Sequence, residues 1–97
     1  MIKHIVAFKL TGTAEERLEK ADQFKKALLA LPEKIDCLKS MEVGVNINPA
    51  ETWDIVLTAL VEDMEDLAQY ANHPLHIAAA AIIKDCKADR ACVDYEI

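Results

Sequence analysis

A strand that is apolar on both faces constrains this chain more than any other feature. Ile2, His4, Val6, Phe8 and Leu10 alternate with Lys3, Ile5, Ala7 and Lys9, and a period of two belongs to a strand. Ile5 and Ala7 make the second face apolar too. The pattern returns later, where Trp53, Ile55, Leu57, Ala59 and Val61 share one face while Val56 and Leu60 stand on the other. Such strands belong to a sheet with helices on one side and a further apolar layer on the other.

The remaining segments fit that demand. After the turn at Thr11-Gly12, Thr13 and Glu16 form a capping-box signature for a helix through about Leu31. Leu18, Ala21, Phe24, Leu28 and Leu31 recur at intervals of three and four along it, and Pro32 ends it. A second strand is expected from about Leu38 to Val45, and Asn46 to Glu51 supplies turn chemistry before a third from Trp53 to Val61. Asp63 can cap a short helix in which Met64, Leu67 and Tyr70 stack, and Asn72-His73-Pro74 breaks and restarts it. The Ala-rich run from Leu75 to about Lys87 predicts helix, and Ala91 to Ile97 a closing strand. The order is βαββαβ with a split second helix. That is the α+β, ferredoxin-like arrangement, a four-stranded antiparallel sheet with helices on one face. Its bare apolar face calls for a partner, and a second copy of the chain, giving a dimeric α+β barrel, is the simplest one.

With 97 residues the chain fits one domain, over 1–97. Size scaling predicts a folded surface of about 5,500 Å². A hydrophobic fraction of 53%, with 2 Gly and 3 Pro, argues against disorder. The net charge of −6 opposes binding to phosphate backbones and anionic lipid, so neither nucleic acid nor a membrane is an expected partner. Lys25 and Lys26 form the longest basic cluster and read as the solvent face of a helix. Met1 runs straight into the first strand, and no stretch reaches the roughly 18 apolar residues of a membrane span, so a cytoplasmic location is expected. Cys37, Cys86 and Cys92 are odd in number and match no common zinc or redox spacing. Reduced thiols are expected.

The polar groups that stand out are His4 in the first strand and the run from Tyr70 to His76, with His73 between. If the face of His4, Val6 and Phe8 looks toward the helices, His4 approaches the helix junction carrying Tyr70 and His76. Val6, Phe8, Phe24 and Leu57 would then line an apolar slot for a small-molecule ligand. His76 falls in the first turn of the last helix, where the dipole disfavours imidazolium and leaves a ring able to accept a proton. Tyr70 can donate a hydrogen bond to a carbonyl or enolate oxygen. Together they suit proton abstraction beside a carbonyl, with no cofactor required. Simpler readings stand beside this one: His73 as a helix cap, His4 as a hydrogen-bonded strand residue, Tyr70 as a packed ring. Strand alternation groups Arg90 with Cys92 and Asp94, and Arg90 brings a cation into the slot if that face is the helix side. His73, His76 and His4 lack a recognisable zinc-binding motif, and no metal is expected.

Lys3-His4-Ile5-Val6 with Phe8-Lys9, the segment from Met41 to Asn46, the run from Tyr70 to His76 and the ending Val93-Asp94-Tyr95-Glu96 resemble the stress-responsive A/B-barrel (Dabb) family across essentially the whole chain. The resemblance implies a dimeric α+β barrel. A plant polyketide cyclase of that family uses a Tyr-x-x-His-Pro-x-His frame, which by similarity makes His76 the base and Tyr70 its partner, and it has a strand histidine matching His4. This chain departs from it in the small residues from Ile77 to Ala81 and in Arg90, which leaves a smaller or anionic ligand open. Three readings follow: a cofactor-free lyase, cyclase or isomerase; a noncatalytic binder or stress-associated structural dimer; and a relative of the cofactor-independent monooxygenases.

Overall fold

The structure, a computed structural model, describes residues 1–97. Strand β1 (Ile2–Leu10) is followed by helix α1 (Ala14–Leu29), strands β2 (Ser40–Val45) and β3 (Ile55–Val61), helices α2 (Met64–Ala71) and α3 (Pro74–Ala81), and strand β4 (Lys87–Glu96). The strands form one antiparallel sheet in the order β2-β3-β1-β4. This is the expected ferredoxin-like topology. The strand with two apolar faces, β1, lies inside the sheet, paired with β3 on one side and β4 on the other.

Val6, Phe8, Val43, Ile55, Leu57, Ala59 and Val61 are buried against the helices, with Ala21, Phe24 and Leu28 of α1, Leu67 and Tyr70 of α2 and Ala79 of α3. Phe8 and Phe24 meet edge to face, centroids 5.5 Å apart, a favoured aromatic geometry. The other sheet face is open. It carries Val56, Val93, Tyr95 and Ile97, all exposed. The total surface is 6044 Å², somewhat above the size-based expectation.

The helix starts follow their sequence signals. Thr13 Oγ1 accepts from the Glu16 N–H and Glu16 Oε1 from the Thr13 N–H, a complete capping box. Gly12 has φ of +112°, where a side chain would be strained. Asp63 caps α2 through the Asp66 N–H, and His73 caps α3, its Nδ1 accepting from the Leu75 N–H at 3.1 Å.

The ends differ from expectation. Helix α1 stops at Leu29 rather than Leu31, because the residue before a proline is disfavoured in the helical region. Leu31 still reaches the core. Leu18, expected on the apolar stripe, is 59% exposed, and Met64 does not stack with Leu67 and Tyr70. Strand β3 begins at Ile55, and Trp53 instead takes the Lys9 ammonium over its ring, 4.8 Å from the centroid. The largest difference is at α3, which ends at Ala81 instead of near Lys87, with β4 starting at Lys87 instead of Ala91. Helix propensity is outweighed there by the pairing of β1: its edge is satisfied by β4 through Leu10, and the Thr11 N–H donates to the Cys86 carbonyl at 2.7 Å.

Asp54 ties this end of the sheet together. Its carboxylate accepts from the Leu10 N–H at 2.7 Å and from Arg17 Nε at 3.1 Å, while Arg17 also donates to the Gly12 carbonyl. Asp54→Ala strands a backbone donor and an arginine together. It is expected to lower stability by about 2 kcal/mol, the range for hydrogen bonds to charged groups; an unchanged urea midpoint would show the tie to be idle.

Candidate active site

Two concavities open on the helix side of the molecule. The larger, about 610 Å³, lies between the start of α1 and the β2–β3 loop. Its charged pair, Arg17 and Asp54, is already mutually satisfied. The smaller, about 450 Å³, lies between β1, β4 and the junction of α2 with α3, and collects two histidines, a tyrosine, a thiol and three charged side chains. The second is the candidate site.

The register of β1 and β4 builds one wall. Phe8 faces Arg90, Val6 faces Cys92 and His4 faces Asp94, so all six side chains lie on the helix side of the sheet. His4 Nδ1 and Asp94 Oδ1 are 2.5 Å apart. A carboxylate accepts, so Nδ1 carries a proton. Cys92 Sγ lies 3.6 Å from each of them.

The break between α2 and α3 builds the other wall. Tyr70 is fully buried, its hydroxyl has no hydrogen-bond partner, and burial pushes its pKa well above the ordinary phenol value. It stays a neutral donor. The His76 ring lies 4.5 Å from the Tyr70 ring, centroid to centroid, and the His4 ring 6.3 Å away, edge-on. His76 Nδ1 is 2.9 Å from the Ala71 carbonyl oxygen. A carbonyl only accepts, so Nδ1 donates, and Nε2 is the basic nitrogen. Burial holds the His76 pKa below its ordinary value; the bond to Ala71 works in the opposite sense, and His4 and Arg90 add to the lowering. The direction is the one expected for a helix start, with burial as the main cause.

The model of the Stress responsive A/B Barrel Domain matches residues 2–97. The chain belongs to that family. An uncharacterized protein of Streptomyces coelicolor is 30% identical over 97 residues, 99% of each chain. A dimeric protein of unknown function and ferredoxin-like fold from Bacteroides fragilis is 47% identical, with a TM-score of 0.96 over 99% of this chain and 95% of that one. At 15% identity the hydroxynitrile lyase of Passiflora edulis has a TM-score of 0.79, covering 99% of this chain and 92% of its own. An antibiotic biosynthesis monooxygenase at 12% has 0.80, covering 100% and 98%. Those last two share the fold.

Within this A/B-barrel chain, eight residues singled out from the sequence line one slot: His4, Val6, Phe8, Phe24, Leu57, Tyr70, His76 and Arg90. His73 is not among them, since its ring is engaged in capping α3. Sequence reasoning missed Asp94, Cys92 and Lys87 as lining groups. The alternation that grouped Arg90, Cys92 and Asp94 was a sufficient signal for the first two, once β4 is paired with β1. Lys87 had no such signal, lying where helix was expected. The three histidines do not converge on one point; instead the ligand atoms of His4, Cys92 and Asp94 lie within 4.8 Å of one another, with the histidine and carboxylate already bonded together. All three cysteines are free.

Two measurements check this site. Tyr70→Phe removes a hydroxyl that satisfies nothing, so the variant should melt at or above the parent temperature; a clear drop would reveal a missing partner. His76 is held neutral in the fold among Tyr70, His4, Arg90, Lys87 and Asp94, whereas the unfolded chain protonates it near 6.5. Its contribution to stability is therefore complete above that pH and is lost as pH falls through 6.5 toward the lower folded value. Comparing urea midpoints of the parent and His76→Ala from pH 7.5 to 5 should show a shallower loss in the variant.

Proposed function

We propose that the chain acts as a homodimeric barrel whose slot carries out cofactor-free acid–base chemistry on a small carbonyl compound, as a lyase, cyclase or isomerase. The Tyr70 hydroxyl carries this reading. A donor buried without a partner costs roughly 1 to 3 kcal/mol, and phenylalanine would fill the same space without that cost. Its position beside His76, at the wall of a cavity, supports a ligand oxygen as the partner.

In this proposal His76 Nε2 takes the proton from the carbon next to the carbonyl. As that C–H bond breaks, its electron pair moves toward the carbonyl, and the Tyr70 O–H donates to the oxygen where negative charge gathers. The proton on Nε2 then returns to the product, so the protein ends unchanged. His4, oriented by Asp94, borders the same space and limits how the substrate can turn. The monooxygenase likeness is one of fold, and no feature of the slot favours it. A noncatalytic binder differs in outcome: the slot would take ligand without exchanging its protons.

Dimerisation follows from the open sheet face. Ile5, Ala7, Val56, Leu60, Val93, Tyr95 and Ile97 form an apolar surface opposite the slot, and the 47% identical Bacteroides fragilis protein is dimeric. Covering it with a second copy should bury roughly 1,200 to 2,000 Å² or more in total. Val56→Glu places a charge at that contact and should yield a monomer of lower stability by sedimentation at micromolar concentration. A parent that sediments as a monomer would end this part of the reading.

The chemistry is checked by deuterium exchange of α-protons in D₂O, followed by NMR on small ketones, phenylpyruvate and phenylpyruvate methyl ester. The parent should accelerate exchange, and His76→Ala should lose about 100-fold or more, the usual contribution of a positioned base. Tyr70→Phe should lose rate while staying folded. No acceleration by the parent, or variants as active as the parent, would refute the enzyme.

A further inference from the structure

We infer that Lys87 and Arg90 form an anion clasp at the slot, so that its substrate is a small carbonyl compound bearing a carboxylate or phosphate group. The inference rests on the reading of the slot as a carbonyl site and names the class of molecule it takes.

The backbone supplies the first observation. Along β1 and β4 the register runs Val6–Cys92, Phe8–Arg90 and Lys9–Asp89, and then shifts, so that Lys87 rather than Ala88 stands opposite Leu10. Without the shift, alternation would turn Lys87 to the outer face with Asp89. With it, Lys87 joins Arg90 on the helix side. Irregularities of this kind re-aim side chains and cluster beside active sites. Here one brings a second cation to a slot that the regular strand would have given only one.

Charge supplies the second. The chain carries a net −6, yet among lysine, arginine and carboxylate side chains the slot holds Lys87 and Arg90 against Asp94 alone. Asp94 is already bonded to His4. Four ion pairs form in the molecule, and neither Lys87 nor Arg90 takes part in one. Eight of the 11 lysines and arginines are without an ion pair; what sets Lys87 and Arg90 apart is that both line one slot whose single carboxylate is already engaged, which leaves them open to an external anion. Arginine's planar fork matches both carboxylate and phosphate, with lysine adding a point charge.

Position supplies the third. Arg90 and Asp94 are four residues apart on β4, roughly 13 Å along the strand, with Tyr70 and His76 packed near the Asp94 end beside His4. An arginine side chain spans much of that distance, and Arg90 is close enough to His76 to oppose its protonation. Arg90, Tyr70 and His76 line the same slot, so one small molecule could present its anionic group to the clasp and its carbonyl toward the tyrosine wall. The small residue Ala80 and the ring of Phe24 leave the middle of the slot apolar.

The test is a titration of the ¹⁵N-labelled protein, read by NMR, with phenylpyruvate, its neutral methyl ester and inorganic phosphate. The acid should bind about tenfold or more tightly than the ester, the factor that one charge-assisted bidentate contact provides. Phosphate should compete with it. Lys87→Gln with Arg90→Gln should abolish the preference for the acid while melting like the parent, since neither side chain is paired in the fold. Arg90→Lys should retain part of it, and Lys84→Gln, an exposed lysine outside the slot, all of it. Equal affinity for acid and ester in the parent, an acid preference that survives the double substitution, or no response to acid or phosphate would each overturn the clasp. Failure of the carbonyl chemistry looks different: the acid binds through the clasp, but its α-protons do not exchange faster than in buffer.

Discussion

The pairing of β1 on both edges and its burial on one face, with the other face still open, is the constraint on which the rest of the structure depends. A central strand must satisfy its backbone groups on two neighbours, and here those are β3 and β4. The inner face of β1 anchors the helices through Val6 and Phe8 and leaves His4 at the edge of the core. The outer face, with Ile5 and Ala7, has no covering element within the chain. One strand therefore sets the core, the slot and the surface that remains to be covered.

The slot is a consequence of the same pairing. Because β4 runs antiparallel to β1 in a fixed register, every second residue of β4 stands against a named residue of β1, and Asp94 meets His4 while Cys92 meets Val6. The split between α2 and α3 then supplies the opposite wall. His73 and Pro74 restart the helix with a new N-terminus, which turns His76 toward Tyr70 and lets the Ala71 carbonyl hold its Nδ1 proton. A continuous helix would bond that carbonyl internally and leave the imidazole tautomer unfixed.

Most of the fold was legible because its signals are local. Alternation marks β1 and β3, Thr13 with Glu16 and Asp63 mark helix starts, and His73-Pro74 marks the break. Tyr70, His76 and His4 could be grouped because topology brings a strand start and a helix junction together. What could not be read was set by competition between distant segments. The Ala-rich run has high helix propensity, yet β1 needs an edge partner as far as Leu10, and that demand converts Lys87 to strand. The register shift beside it has no signature in the residues themselves. Leu18 fits a helical stripe by spacing, but the β2–β3 loop beside it leaves it open to solvent.

The places where local rules fail are informative about function. Phenylalanine at position 70 would fill the same space without leaving a buried hydroxyl unpaired. The Tyr70 hydroxyl is the one buried side-chain polar atom without a partner, and it stands in the wall of the 450 Å³ slot that Lys87 and Arg90 also line. On the proposed reading these groups would share one occupant: an oxygen to accept from Tyr70, an acidic C–H for His76 and an anionic group for the cations. A buried hydroxyl without a partner, set beside an imidazole that burial keeps neutral, is the physical ground on which the proposed site rests.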